Sequence, residues 1–535
     1  MKGNASTTSK DENIPNCYSN PTKWETIDWN KAEEHVNRLR TKIAEAYSEG
    51  KKNTTKRSQY LLVNSFYAKC LAVRKVTTNQ GKHTPGVDGE IWYSSEMKMS
   101  KALQLTSDGY KAKPLRRVHI PKKNGKLRPL GIPTMYDRAM QALHAMALEP
   151  IAEVTADPNS YGFRKGRNQH DACGALFCAL GKNTSAKWVL EGDIKGCFDN
   201  ISHNWILKHI PMDKHVLKEF LKAGYMENNT LYPTEGGTPQ GGIVSPILAN
   251  MALDGMESML EHNHRSERGK KSVEGHKNMN PRKVNLVRYA DDFIITCDSR
   301  ETAERLRKEV TEFLIERELT LSPEKTLVTN IDQGFDFLGW TFRKFKGKMI
   351  IKPSKESVKT VKEKIKTIVK RGLQWPQDLV IAQLNQTVIG WANYHRHIVA
   401  AEVFGHIDNY IFWTLARWAR HRHRNKSWKW RKNRYWHTVG TRNWVFHGEK
   451  ETLKLMSDVK IKRYVKVRAK TNPYSDREYY EERKSKKMPK EKSGWGLVNF
   501  QEEEAALIRT RFVILEPYEG KLSRTVQRRE GGATL

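Results

Sequence analysis

Residues Arg288 to Thr296 read RYADDFIIT, and the rest of the chain has to account for the two adjacent carboxylates in the middle of that stretch. Val284, Leu286 and Val287 precede them, and Phe293, Ile294 and Ile295 follow, so apolar strand is expected on either side of Asp291 and Asp292. A buried strand does not tolerate charge, whereas a hairpin tip between two strands exposes both carboxylates together. Such a tip suits a hard divalent cation, because Mg²⁺ takes one or two carboxylates and fills its remaining positions with water and phosphate oxygen. Asp is also a common turn former, so an ordinary Asp-Asp turn explains the same letters. A third carboxylate and a nucleotide pocket elsewhere would decide between the two.

Composition narrows the partners. The chain has 535 residues, with 94 Lys and Arg against 60 Asp and Glu and a formal charge of +34; its pI is near 9.8 and its mean hydropathy is -0.73. An excess of that size, spread along the chain, favours a polyanionic partner and disfavours a membrane role. No apolar run approaches the ~18 residues of a membrane helix, and the opening MKGNASTTSKDEN lacks the apolar core of a signal peptide. Cys17, Cys70, Cys173, Cys178, Cys197 and Cys297 form no CxxC pair, which points to reduced structural thiols.

In chain order, residues 1–22 are polar and without periodicity, and are expected to be disordered. From Trp29 to Val76 the spacing of Ala32, Val36, Leu39, Ile43 and Ala46, then Leu61, Leu62, Phe66, Cys70 and Leu71, predicts two amphipathic helices. They belong to an N-terminal extension over 23–110, where TPGVDGE at 84–90 breaks the helix. PLRRVHIPKKNGKLRPLGIP, 114–133, alternates apolar and basic residues around an NG turn, the signal for a hairpin carrying Lys122, Lys123, Lys126 and Arg128. Such a hairpin is either a solvated edge or a device for closing on a triphosphate. SYGFRKGRNQHDA, 160–172, sets Arg164, Lys165 and Arg167 ahead of a helix, which suits contact with a phosphate backbone. In KWVLEGDIKGCFDNI a buried strand over Trp188–Leu190 ends at Asp193. That is the third carboxylate, unless it merely terminates the strand; Asp199 reads as a helix cap. In TPQGGIVSPILAN, Gln240 and two glycines could approach a ligand closely.

Further on, Ser354 to Val388 has helical spacing with Lys opposite the apolar face, as in a helix lying along a nucleic-acid backbone. Between Phe412 and Trp436 there are nine Lys or Arg and five Trp, with no Asp or Glu. Aromatic faces stack on unpaired bases and guanidinium groups bind phosphate, so this interleaving favours structured RNA, with Arg417, Arg420, Arg424, Trp428, Trp430 and Arg431 as candidates. Trp391, Trp413 and Trp418 have a competing reading as buried core. His421 and His423 alternate with Arg without nearby Cys or carboxylate, which argues against a metal. IKRYVKVRAK, 461–470, reads as strand-like.

Taken together, RPLGIP, SYGFRKGRNQHDA, GDIKGCFDNI, TPQGGIVSPILAN, YADD, LSPEKT and FLGW resemble, in that order, the reverse transcriptase of group II intron-encoded proteins over about residues 30–345. IGWANYHRHIV at 389–399 and the block after it resemble that family's maturase domain, domain X. The resemblance implies an α+β right hand: fingers and an antiparallel-sheet palm over 111–345, a helical thumb and maturase domain over 346–447, and a basic DNA-binding region and tail over 448–535. It implies that Asp193, Asp291 and Asp292 are catalytic and hold two Mg²⁺ (or Mn²⁺) ions, with the Ile194 carbonyl as a further ligand. Lys122 (or Lys123) and Arg128 would grip the deoxynucleoside triphosphate, Gln240 would contact nucleotide and template, and Lys325 would approach the triphosphate. Phe198 resembles the aromatic gate against a ribose 2′-hydroxyl, and Phe335–Trp340 the primer grip.

The activity so implied is RNA-directed DNA polymerisation joined to intron RNA binding, splicing assistance and mobility by target-primed reverse transcription. The partners would be intron RNA and target DNA, with no membrane, in the cytoplasm of a prokaryotic cell, an organellar origin staying open. The oligomeric state is not legible. No His follows His447 and no Cys follows Cys297, so no HNH endonuclease is expected and the primer would be a nascent strand at a replication fork. The alternatives are a splicing factor that no longer polymerises and a reverse transcriptase with another role, such as phage defence.

Overall fold

The computed structural model describes residues 23–121, 125, 127–239, 241–265 and 280–487. The expectations for residues 1–22, Lys122, Lys123, Lys126, Gln240 and 488–535 lie outside the described residues.

The β-branched and aromatic run around the paired carboxylates forms a four-stranded antiparallel sheet in the order Asn285–Tyr289, Asp292–Cys297, Trp188–Asp193, Leu327–Asn330. Alternation along a strand sends successive side chains to opposite faces. Here both faces are covered. Leu190, Leu286 and Ile295 enter one core, shared with the N-terminal and fingers helices, while Val189, Val287 and Ile294 enter a second, shared with thumb and maturase helices. A strand buried on both faces reads as continuous apolar sequence, and for that reason the two aspartates stood out.

The hairpin at 114–133 forms as expected, Leu115–Pro121 pairing with Leu127–Ile132, and a second small hairpin, Tyr225–Glu227 and Thr230–Tyr232, extends its sheet. The stretch from Trp29 to Val76 folds as three helices, not two: Trp29–Ser48, Lys52–Asn64 and Phe66–Thr78. The apolar spacing runs through a break at Ser65, whose extended backbone (φ -67°, ψ 128°) separates the second helix from the third. All three pack on Met135–Thr155, a helix buried on nearly every side.

Beyond the palm, a three-stranded sheet (Phe335–Phe337, Trp340–Phe345, Lys348–Pro353) leads into Lys355–Arg371 and Gln377–His395, then Ala401–Arg422, Trp428–Tyr435 and a hairpin of Trp436–Val439 with Arg442–Phe446. Trp391 and Trp418 are core, the latter donating its indole N–H to the Gly372 carbonyl at 2.8 Å, but Trp413 is 57 % exposed. The run 461–470 is not a strand. It is an extended strap whose partners are side chains at the start of the Gln169–Leu180 helix: Val467 N–H donates to Asp171 Oδ1 (2.7 Å), and Tyr464 Oη to Asn168 Oδ1 (3.0 Å). Arg483 completes the dock with an ion pair to Asp171 at 2.8 Å. Among the described residues no helix is long and apolar enough to cross a membrane.

The three-stranded sheet and the helices after it meet at a buried polar chain. Trp340 Nε1 lies 3.0 Å from His395 Nδ1, and an indole nitrogen only donates, so Nδ1 accepts and the ring carries its proton on Nε2, 3.3 Å from Ser357 Oγ. Burial, with His397 and His170 adjacent, holds the His395 imidazole well below the ordinary histidine range. The fold selects the neutral ring. Its contribution is complete above about pH 6.5 and is lost as pH falls below that value. Buried carboxylates such as Glu257, whose pKa burial raises, titrate with the opposite sign, so the test is differential. The gap in unfolding free energy between wild type and His395→Gln is expected to narrow as pH is lowered from about 8 to about 5, by at most about 1.4 kcal/mol per pH unit. Denaturant titrations at each pH measure it, and a constant gap would contradict the assignment.

Candidate active site

The turn between the strands Asn285–Tyr289 and Asp292–Cys297 is two residues long: Tyr289 pairs with Asp292, and Ala290 and Asp291 close it, Ala290 in the left-handed region at φ 58°. A non-glycine residue is held there only when its surroundings require it. They do, because Gly162 lies so close that a Cβ on it would collide with the Ala290 nitrogen. The Asn159–Gly162 backbone lies beside the strand as a parallel bridge, with Tyr161 N–H donating to the Arg288 carbonyl (2.9 Å) and Arg288 N–H to the Asn159 carbonyl (3.0 Å).

Arg288 itself has no exposed surface. Its guanidinium pairs with Asp254 and reaches Asn250 Oδ1 (3.2 Å) and the Ala290 carbonyl (3.4 Å), while Asn250 Nδ2 donates to the Gly162 carbonyl (2.8 Å). Asp157 accepts from the Gly255 and Glu257 amides at 3.0 and 3.2 Å, capping the Met256–His264 helix, and Glu257 holds Asn159 by two bonds. These residues were missed in the sequence. The readable signal was an arginine inside an apolar run, which must find a buried partner.

Asp193 lies directly opposite Asp292 in the register, so Asp193, Asp291 and Asp292 share one edge of the sheet. Ser322 N–H donates to the Asp193 carbonyl (2.8 Å) and Lys195 N–H to the Thr320 carbonyl (2.9 Å). These bonds flank the Ile194–Leu321 bridge without using the Ile194 carbonyl. Lys325 Nζ reaches Asp193 Oδ2 at 2.8 Å. That bond, with the charges of Asp193, Asp292 and Asp291, raises the ammonium above the ordinary lysine range. Among the described residues no three ligand side chains converge into a closed metal cage. The edge is instead an open oxygen site with a cation already drawn to it, and a pair of carboxylates leaving room for water and phosphate fits Mg²⁺.

Phe198 is half-buried in the short helix Cys197–Asn200. Asp199 sits inside that helix and Gly196 takes the N-cap position, which corrects the cap expectation. The Thr238 N–H donates to the Phe198 carbonyl at 2.6 Å, and a Cβ at Gly237 would overlap the Asp199 carbonyl carbon. Ile243 N–H donates to Gln141 Oε1 at 2.7 Å, tying Ile243 to the helix Met135–Thr155. Arg128 is half-buried on the fingers hairpin opposite Ile120.

Two phosphate-contact candidates are corrected. Arg164 is buried against Glu153 (2.8 Å) and donates to the Asp157 and Ser160 carbonyls, and Arg167 is buried and donates to the carbonyls of Pro158, Ala469 and Thr471. They hold loop and strap together, and only Lys165 of the three is exposed. In the maturase region Arg417, Arg420 and Arg424 are exposed, and Arg431 is half-buried. Trp428, Trp430, Trp413 and Trp444 are also exposed. Trp428 and Trp444 join Phe412 in one ring cluster, with Lys432 Nζ 5.0 Å from the Trp444 ring. Trp413, read as core in the sequence, is thus a surface ring, and Trp444 was not singled out there.

An antiparallel sheet with three carboxylates gathered at one end is the palm arrangement of the reverse transcriptase class. The family described as "Reverse transcriptase (RNA-dependent DNA polymerase)" matches residues 120–342, "N-terminal domain of reverse transcriptase" matches 24–105, and "Group II intron, maturase-specific domain" matches 358–436. Group II intron-encoded protein LtrA of Lactococcus lactis subsp. cremoris is 33% identical over 371 residues, 59% of this chain and 61% of LtrA. Protein YkfC of Escherichia coli (strain K12) is 33% identical over 297 residues, 50% of this chain and 78% of YkfC. The putative COX1/OXI3 intron 1 protein of Saccharomyces cerevisiae is 29% identical over 303 residues, 48% of this chain and 36% of that protein. The chain belongs to the group II intron-encoded reverse transcriptase and maturase family. It spans about three-fifths of the length of LtrA.

Asp254→Ala would leave Arg288 buried without its counter-ion, a loss on the order of 3–5 kcal/mol. Urea unfolding of variant and wild type measures it, and a loss within ordinary surface-mutation scatter would show that the pair does not anchor the hairpin.

Proposed function

We propose that the chain is an RNA-directed DNA polymerase that also binds its intron RNA and assists splicing and mobility. The observation that carries this reading is the convergence of Asp193, Asp291 and Asp292 on one sheet edge beside Lys325. Two divalent ions bound there, Mg²⁺ or Mn²⁺, would activate the primer 3′-hydroxyl and stabilise the leaving pyrophosphate. The aspartates, with the Ile194 carbonyl, hold that charge in place. Lys325 neutralises the carboxylates while the site is open and faces the triphosphate once ions take its place at Asp193. Arg128, with Lys122 and Gln240, binds and orients the deoxynucleotide, Phe198 excludes a 2′-hydroxyl, and the Phe335–Trp340 turn supports the primer end. Trp428, Trp430, Arg417, Arg420, Arg424 and Arg431 bind unpaired bases and phosphates of intron RNA, and the exposed Lys462, Arg463, Arg468 and Lys470 of the strap bind target DNA.

Primer extension on an RNA template with deoxynucleotides and Mg²⁺ tests the polymerase. Asp291→Ala should reduce it by on the order of a thousandfold, the equivalent of several kcal/mol of lost transition-state stabilisation, while splicing of the intron RNA survives. A wild type that promotes splicing but extends no primer would replace this reading with that of a splicing factor.

The two kinds of RNA contact have separate signatures. Trp428→Ala should weaken intron RNA binding by about 1–3 kcal/mol with the salt dependence unchanged, whereas Arg417→Ala should flatten the slope of log affinity against log salt by about 0.7–0.9. Filter binding across a salt series separates them, and an unchanged affinity for both variants would place the RNA interface elsewhere.

A further inference from the structure

Phe163 belongs to neither hydrophobic core and is 51 % exposed, yet its backbone is left-handed at φ 57°. A bulky side chain in that conformation is strained, and glycine would occupy the position without penalty. The strain is imposed from both sides. On one side the Gly162 carbonyl accepts from Asn250 Nδ2 (2.8 Å) while Gly162 rests on the hairpin tip. On the other, Arg164 is locked to Glu153 and to the carbonyls of Asp157 and Ser160. Position 163 therefore cannot relax, and its side chain is aimed by the same network that sets the carboxylates. The ring meets Phe198 edge-to-face, with centroids 6.3 Å apart and planes at 83°.

We infer that Phe163 is a positioning residue for sugar discrimination, bracing the Phe198 ring so that it cannot swing away from a ribose 2′-hydroxyl. The inference rests on the polymerase reading and on Phe198 as the gate. A steric gate discriminates only as far as it resists displacement; a half-buried ring with one open side yields to the extra oxygen unless something stands behind it. Phe163 supplies that resistance through ring packing and makes no bond to the substrate. An exposed, strained aromatic where glycine fits best points to a side chain that serves a contact.

The test measures single-nucleotide incorporation by the full chain on an RNA template, comparing kcat/KM for a deoxynucleoside triphosphate with that for the matching ribonucleoside triphosphate. Phe163→Gly removes the ring and the backbone strain together, so its Tm should equal or exceed that of wild type. Its deoxy-to-ribo ratio should fall several-fold to about tenfold, the size of one lost aromatic contact, through a gain in ribonucleotide use. Phe163→Tyr, which keeps the ring, should stay within about twofold of wild type on the same scale. A wild-type ratio in Phe163→Gly alongside a lowered ratio in Phe198→Ala overturns the brace and leaves the gate standing. A ratio unchanged in Phe198→Ala as well overturns the gate and the brace with it. A lower Tm in Phe163→Gly with both efficiencies reduced in proportion overturns the proposal in favour of a structural role.

Discussion

A guanidinium with no exposed surface lies at the root of the palm. Arg288 interrupts a strand whose neighbours fill two hydrophobic cores, and its charge has to be matched where it lies. Asp254 supplies the counter-charge, and Asn250, Ala290 and the Asn159–Gly162 backbone supply or depend on the bonds around it. A buried ion pair contributes little net stability compared with apolar packing, but its geometry is demanding. It brings three separate segments to one register, and that register sets the turn from which Asp291 and Asp292 project.

The sheet itself joins the two halves of the molecule. Neighbouring residues of one strand, Val189 and Leu190, or Val287 and Leu286, serve different cores, one continuous with the fingers and the other with the thumb and maturase helices. Trp340 and His395 add a polar joint between the neighbouring three-stranded sheet and the thumb. The strands thus form a common wall, and a change in packing on one side is felt by residues whose neighbours face the other.

Much of this was legible from the sequence. The paired strands Leu115–Pro121 and Leu127–Ile132, the strand ending at Asp193 and the paired aspartates follow local patterns, and local patterns survive folding. What was not legible depends on distant partners. Arg164 and Arg167 have the composition of a phosphate clamp, but Glu153 and the carbonyls of Pro158, Ala469 and Thr471 claim them. IKRYVKVRAK alternates like a strand, yet its amides donate to the Arg396 carbonyl, Asp171 and Tyr479 and not to a sheet. Trp413 and Trp418 stand five residues apart on one helix, and only the packing distinguishes the exposed ring from the core ring. The helix break at Ser65 was hidden because the apolar spacing continues across it.

The strap sets an order in time as well as in space. Tyr474 is buried beside Arg40, whose guanidinium lies 5.3 Å from its ring, and Thr41 Oγ1 reaches the Tyr474 carbonyl 433 residues further along the chain. At ribosomal speeds of about 5–20 residues per second, Tyr474 is made roughly 20 to 90 s after the helix it closes on. Until then Arg167 lacks the Ala469 and Thr471 carbonyls, Asp171 lacks Val467 and Arg483, and the first helix has an open flank. The nascent protein therefore completes its polymerase half only when synthesis has passed through the maturase half, so a prematurely terminated chain ending before the strap is marked by exposed surface and open to proteolysis.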